Sequence, residues 1–160
     1  MATPTYTLID SVTLSSSATT VTFSSIDQSY RDLVLVEETI GTGSSVNGYH
    51  RFNSDSGSNY SYVFMLGNGS STSSSSATST EFYGANASAT NKGFARHQIL
   101  DYSATDKHKT ILTIRTSEQA DIMALAQRWA NTSAVTSLSI TTPLNQFAAG
   151  TTFHLYGISA

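Results

Sequence analysis

Apolar and polar side chains alternate with period two along almost the whole chain. No window longer than about ten residues holds the i, i+3, i+4, i+7 spacing of an amphipathic helix without also fitting alternation. The pattern therefore predicts strands throughout. Leu8, Val12 and Leu14 share a face of a strand over 6–14, and Val21 and Phe23 share one over 19–24. The unbroken apolar run from Leu33 to Val36 reads as a central strand covered on both faces. Further strands are predicted over 49–52, 60–66, 94–102, 109–115, 122–129, 134–142 and 152–158, with a short segment at 81–83. Regular short strands without helices between them imply an all-β, antiparallel β-sandwich. For a chain of this size the expected form is jelly-roll-like, a single domain over 1–160. Its predicted core comprises Leu33, Leu35, Phe52, Leu112, Ile114, Trp129, Leu138, Phe153 and Leu155.

Between strands the turn chemistry is explicit. The stretch Asn53 to Asn59 is made of Ser, Asp, Gly and Asn, and Pro143 opens a loop that closes at Gly150, where the preceding ladder is already finished. Residues 67–80 are low in complexity, with Ser73 to Ser76 uninterrupted, and are expected to form a mobile surface loop.

Composition sharpens this picture. Ser and Thr supply 27 and 23 residues, whereas charged residues make up only 12%. A surface solubilised by hydroxyls rather than by Glu and Lys favours strands and turns over helices. Cysteine is absent, which removes disulfides, thiolate metal sites and cysteine nucleophiles. With 8 basic and 11 acidic residues and no basic run, neither nucleic acid nor an anionic membrane is an expected partner. The N-terminal residues carry no signal-peptide pattern, so synthesis in the cytoplasm of the producing cell is expected.

Candidate chemistry is sparse. Serines and the four histidines at 50, 97, 108 and 154 provide the residue types of a hydrolytic triad, but no G-x-S-x-G elbow is present. Asp106 and His108 read as a solvated turn. Asn53, Asp55, Gly57 and Asn59 offer oxygens at alternate positions as a calcium loop does. They include one carboxylate and no closing Glu, so a hydrogen-bonded turn is the better reading. No catalytic residue, cofactor site or metal site is therefore predicted within one chain. His50, His97 and His154 lie on predicted strands without metal-ligand spacing, and a three-fold axis is where such a histidine would gain partners. Tyr49, Tyr60, Tyr62 and Tyr83 are candidates for contact with a glycan or a partner, while Trp129 belongs to the core. The sequons at Asn59, Asn68, Asn86 and Asn131 reflect the abundance of Asn, Ser and Thr.

Four stretches carry a resemblance: Ser29-Tyr-Arg-Asp-Leu-Val-Leu-Val36, Arg51-Phe-Asn-Ser-Asp-Ser-Gly-Ser-Asn-Tyr-Ser-Tyr62, Asp101-Tyr-Ser-Ala-Thr-Asp-Lys-His-Lys-Thr110 and Ala149-Gly-Thr-Thr-Phe-His-Leu-Tyr-Gly157. They resemble trimeric jelly-roll virion modules of tailed phages, found as capsid cement or decoration proteins, notably in cyanophages, and as modules of tail fibres and tailspikes. The resemblance implies a non-enzymatic homotrimer. Strands that begin by Tyr6 and end by Ile158 leave no shaft or attachment region, which favours a cement protein on the outer surface of the capsid, bound to the major capsid protein. The alternative it implies is a receptor-binding module that recognises host surface glycan.

Overall fold

The computed structural model describes residues 4–116 and 121–159, and among them there are twelve strands and no helix. In chain order these are β1 (Tyr6–Thr13), β2 (Thr20–Phe23), β3 (Asp32–Thr39), β4 (Val46–Phe52), β5 (Tyr60–Gly67), β6 (Thr72–Ser79), β7 (Phe82–Ala87), β8 (Gly93–Leu100), β9 (Lys109–Thr116), β10 (Ile122–Trp129), β11 (Leu138–Thr141) and β12 (Thr152–Ile158). They form an eight-stranded sheet in the order β1-β12-β3-β8-β9-β10-β5-β6 and a four-stranded sheet in the order β2-β11-β4-β7, with antiparallel pairing throughout.

Eight of the strands wind as a jelly roll. β1, β3, β8 and β12 lie in one sheet, and β2, β4, β7 and β11 lie in the other. The remaining four are two hairpins, β5–β6 inserted after β4 and β9–β10 inserted after β8, which extend the larger sheet beyond β8 as a wing.

The predicted sandwich is thus observed, and its core lies between the sheets. Leu33, Leu35, Phe52, Trp129, Leu138, Phe153 and Leu155 are all buried there. Leu112 and Ile114 are not. On β9 it is Lys109, Ile111, Thr113 and Arg115 that point inward, leaving Leu112 and Ile114 on the outer face. Alternation marks two faces of a strand but does not say which one is covered.

The Ser-rich stretch 67–80 also departs from expectation. Apart from a turn at 68–71, closed by Asn68 Oδ1 accepting from the N–H groups of Ser70 and Ser71, it is the edge strand β6, paired along its length with β5. The open edge of β5 supplies a ladder that compensates for the lack of apolar anchors. Every residue of β6 up to Thr78 is exposed. Because β6 also carries the chain back from the Gly67 end of β5 to the start of β7, the tolerance expected is to side-chain change: replacing Ser73 to Ser76 by Ala should leave the sandwich folded and change its stability by less than about 1 kcal/mol, measured by urea unfolding.

Candidate functional site

Among the described residues, the sandwich interior contains a cluster of ionisable groups that an ordinary apolar core does not need. Glu37 on β3, His97 on β8 and His50 on β4 are fully buried, the first two from the large sheet and the third from the small one. Winding, not sequence spacing, brings them together. Glu37 Oε1 is in close contact with His50 Nε2 and lies 3.3 Å from His97 Nε2. The second contact is within ion-pair distance but is not aligned as a hydrogen bond, so His97 Nε2 is buried without a hydrogen-bond partner.

The outer ends of all three side chains are anchored. Glu37 Oε2 accepts from the Ala85 N–H at 3.0 Å, His50 Nδ1 lies 3.4 Å from the Phe82 carbonyl, and His97 Nδ1 is 2.8 Å from Thr113 Oγ1. Thr113 Oγ1 also accepts from Gln127 Nε2 at 3.0 Å, and Gln127 pairs with both backbone groups of Tyr83. The His50 ring stacks on Phe82 with centroids 4.7 Å apart. The backbone of β7 crosses the ring so closely that a Cβ on Gly84 would fall 1.9 Å from His50 Cε1, which explains a glycine in the middle of this strand.

Burial alone would raise the Glu37 pKa, but the two imidazoles outweigh it and hold the carboxyl far below the usual carboxylate range. Burial lowers the His97 pKa against the attraction of Glu37. Among the described residues, Glu37, His50 and His97 are able to hold a metal ion, with donor atoms all within 4.8 Å of one another. The expectation of histidines on a three-fold axis is corrected for His50 and His97, which are enclosed within one chain and cannot reach a neighbour. His154 is on β12, part-exposed, with Nδ1 3.0 Å from Ser11 Oγ.

A second feature lies on the outer face of the wing. Met65, Ala124, Ile114 and Arg96 stand opposite one another on successive strands, and Val63, Ala126, Leu112 and Gln98 form the next row. The apolar members of both rows are exposed, Met65 by 67% and Ile114 by 59%, with Ile122 exposed beside them. The two alanines of β10 form the floor of a shallow hollow of about 450 Å³, between ridges of Val63 and Met65 on one side and Leu112 and Ile114 on the other. A contiguous apolar surface of this kind, rimmed by Arg96 and Gln98, has the character of an interaction surface.

Of the four tyrosines singled out from sequence, three come together. Tyr83 lies 5.4 Å from Tyr49 and 4.9 Å from Tyr62, centroid to centroid, with the Arg115 guanidinium 5.7 Å from its ring. All three are part-exposed, and burial together with the Tyr62 hydroxyl pushes the Tyr83 pKa up to about 12. Tyr60 is a correction. It is buried, stacked on Trp129 with centroids 6.3 Å apart, and its hydroxyl accepts from the Phe52 N–H.

No family model matches the chain, and neither does any curated protein or solved structure.

The remaining candidates fall in turns. Asp55 accepts from the Gly57 N–H, from Asn59 Nδ2 and from Trp129 Nε1, which occupies its carboxylate with turn and core hydrogen bonds. Asp106 and His108 lie in the exposed connection between β8 and β9. The buried Lys109 at its end donates to the carbonyls of Ala104, Lys107 and Thr132, which uses all three of its protons.

Proposed function

We propose that this protein is a structural component of a tailed-phage particle: a homotrimer that binds the outer surface of the assembled head and cements it. The observation that carries the self-association is the apolar outer face of the wing. Its centre bears no charge, so copies of the same face can meet without like-charge repulsion, and the alanine hollow beside two aliphatic ridges offers a ridge-into-trough fit between copies. Closed cyclic symmetry would cover the face on every subunit. Resemblance to jelly-roll virion modules supports the location. A rigid trimer that engages several capsid subunits gains by avidity what each contact lacks in strength.

In this reading, wild-type protein is a trimer by light scattering. Ile114→Lys, which places a charge in the middle of the apolar row, is expected to give folded monomer, because burying an unpaired ammonium costs more than the contact returns. Particles lacking the protein should release DNA at lower temperature than wild type, and adding trimer should restore them. A monomeric wild type would remove the self-association reading, and unchanged particle stability would remove the cement role.

The cluster of Tyr49, Tyr62 and Tyr83 favours a second reading, a receptor-binding module, because part-exposed rings set at differing angles can stack on sugar faces. Loss of host adsorption with unchanged head stability would select it.

A further inference from the structure

The hydrogen-bonding chemistry of the core cluster leaves positive charge to be supplied at its centre. The Phe82 carbonyl can only accept, so His50 Nδ1 carries its proton there. His50 Nε2 nevertheless stands in close contact with Glu37 Oε1. A nitrogen and an oxygen that each present a lone pair need either a proton or another cation between them. At His97, an Nδ1–H donated to Thr113 Oγ1 leaves the Nε2 lone pair directed at the same carboxylate oxygen, and this is the atom that has no hydrogen-bond partner.

Three donor atoms on three strands thus converge, each on a side chain whose far end is fixed by an outer partner. Metal-binding histidines and carboxylates are typically held in this way. We propose that Glu37, His50 and His97 form a structural site for a divalent transition-metal ion of the Zn²⁺ class, clamping the two sheets together. Two imidazoles and one carboxylate suit such an ion, whereas Ca²⁺ and Mg²⁺ require oxygen ligands. Ligand bonds of roughly 2.0–2.1 Å in a tetrahedral arrangement place donor atoms about 3.3 Å apart. His97 Nε2 and Glu37 Oε1 already stand 3.3 Å apart, and the closer His50 contact opens when an ion replaces the proton. Loading by Zn²⁺ displaces the Nε2 proton of His50 to solvent, so one proton is released per ion bound. The site is enclosed on every side by core and backbone, which assigns it a structural rather than a catalytic role.

Because the ligands are buried, the ion enters as the chain folds. The test is to refold the full chain with Zn²⁺ or Co²⁺, dialyse, and measure bound metal by elemental analysis. For Co²⁺ the visible absorption of a low-coordinate site provides a second readout. The expected result is one ion per chain, a higher thermal midpoint than that of chain refolded with chelator, and the cobalt bands. His97→Gln should lose all three while keeping the wild-type far-ultraviolet spectrum. Thr113→Val, which removes the hydroxyl shared by His97 Nδ1 and Gln127 Nε2 but no ligand, should weaken binding by about 10- to 100-fold. Wild type that refolds to the same midpoint with and without Zn²⁺ and retains no ion would overturn the site in favour of a proton-bridged triad. Retention of the ion by His97→Gln would overturn the ligand assignment.

Discussion

Trp129→Ala is expected to cost about 3–5 kcal/mol, a loss that leaves little of the stability of an ordinary domain. The indole is buried at the inner end of β10, stacked on Tyr60 and packed edge-on against Phe52 at 5.4 Å. Its Nε1–H donates to Asp55 Oδ2 at 2.7 Å, which ties the turn at 53–59 to the wing. Truncation removes the ring that joins β4, β5 and β10, and the surrounding aromatics cannot collapse into so large a void. Since this is the only tryptophan in the chain, unfolding in urea is followed by circular dichroism. Wild-type-like unfolding would show that the wing is held without the aromatic cluster.

Glu37→Ala is expected to be of similar size, about 3–5 kcal/mol in protein treated with chelator. The carboxylate contacts two buried imidazoles, the sole negative charge to do so among the described residues, and it also takes the Ala85 N–H. Its removal leaves His50 facing His97 at a centroid separation of 4.9 Å with no acceptor between them. Replacing all three residues by Met or Leu should cost less than Glu37→Ala alone, because it removes the polar groups together with their partner. If the triple variant were the less stable, the cluster would be contributing net stability beyond its own desolvation.

Strand positions, the sandwich and most of the core were legible in the sequence because alternation reports them directly. Its limits show at β9. Thr110, Leu112 and Ile114 look like a core face and Lys109, Thr113 and Arg115 like a solvent face, yet the reverse is true. Each inward polar side chain finds a partner outside the strand: Lys109 in three carbonyls, Thr113 in His97 and Gln127, and Arg115 Nη1 in the Gly84 carbonyl at 2.8 Å. A single-strand pattern contains none of those partners. Nor could local chemistry decide whether a serine run is a loop or a strand, since that depended on the open edge of β5. The core cluster had one visible trace. Glu37 follows directly on the run Leu33 to Val36, and a carboxylate on a central strand requires a partner, although nothing in the sequence says that His50 and His97 provide it.

The wing also imposes an order on biosynthesis. Its strands run β9-β10-β5-β6 in space, so the hairpin made first is docked on the hairpin made second. Roughly fifty residues separate Ser79 from the end of β10 at Trp129, and at about 5–20 residues per second β5 waits on the order of 2.5–10 s for its neighbour to be synthesised. During that interval the backbone edge and the apolar side chains of Val63, Phe64 and Met65 are open to other nascent chains. β6, which pairs with β5 at once through a local turn and carries hydroxyls in place of apolar groups, closes one of the two edges. A strand that adds almost nothing to the finished core can thus limit misassembly while the rest of the sheet is still being made.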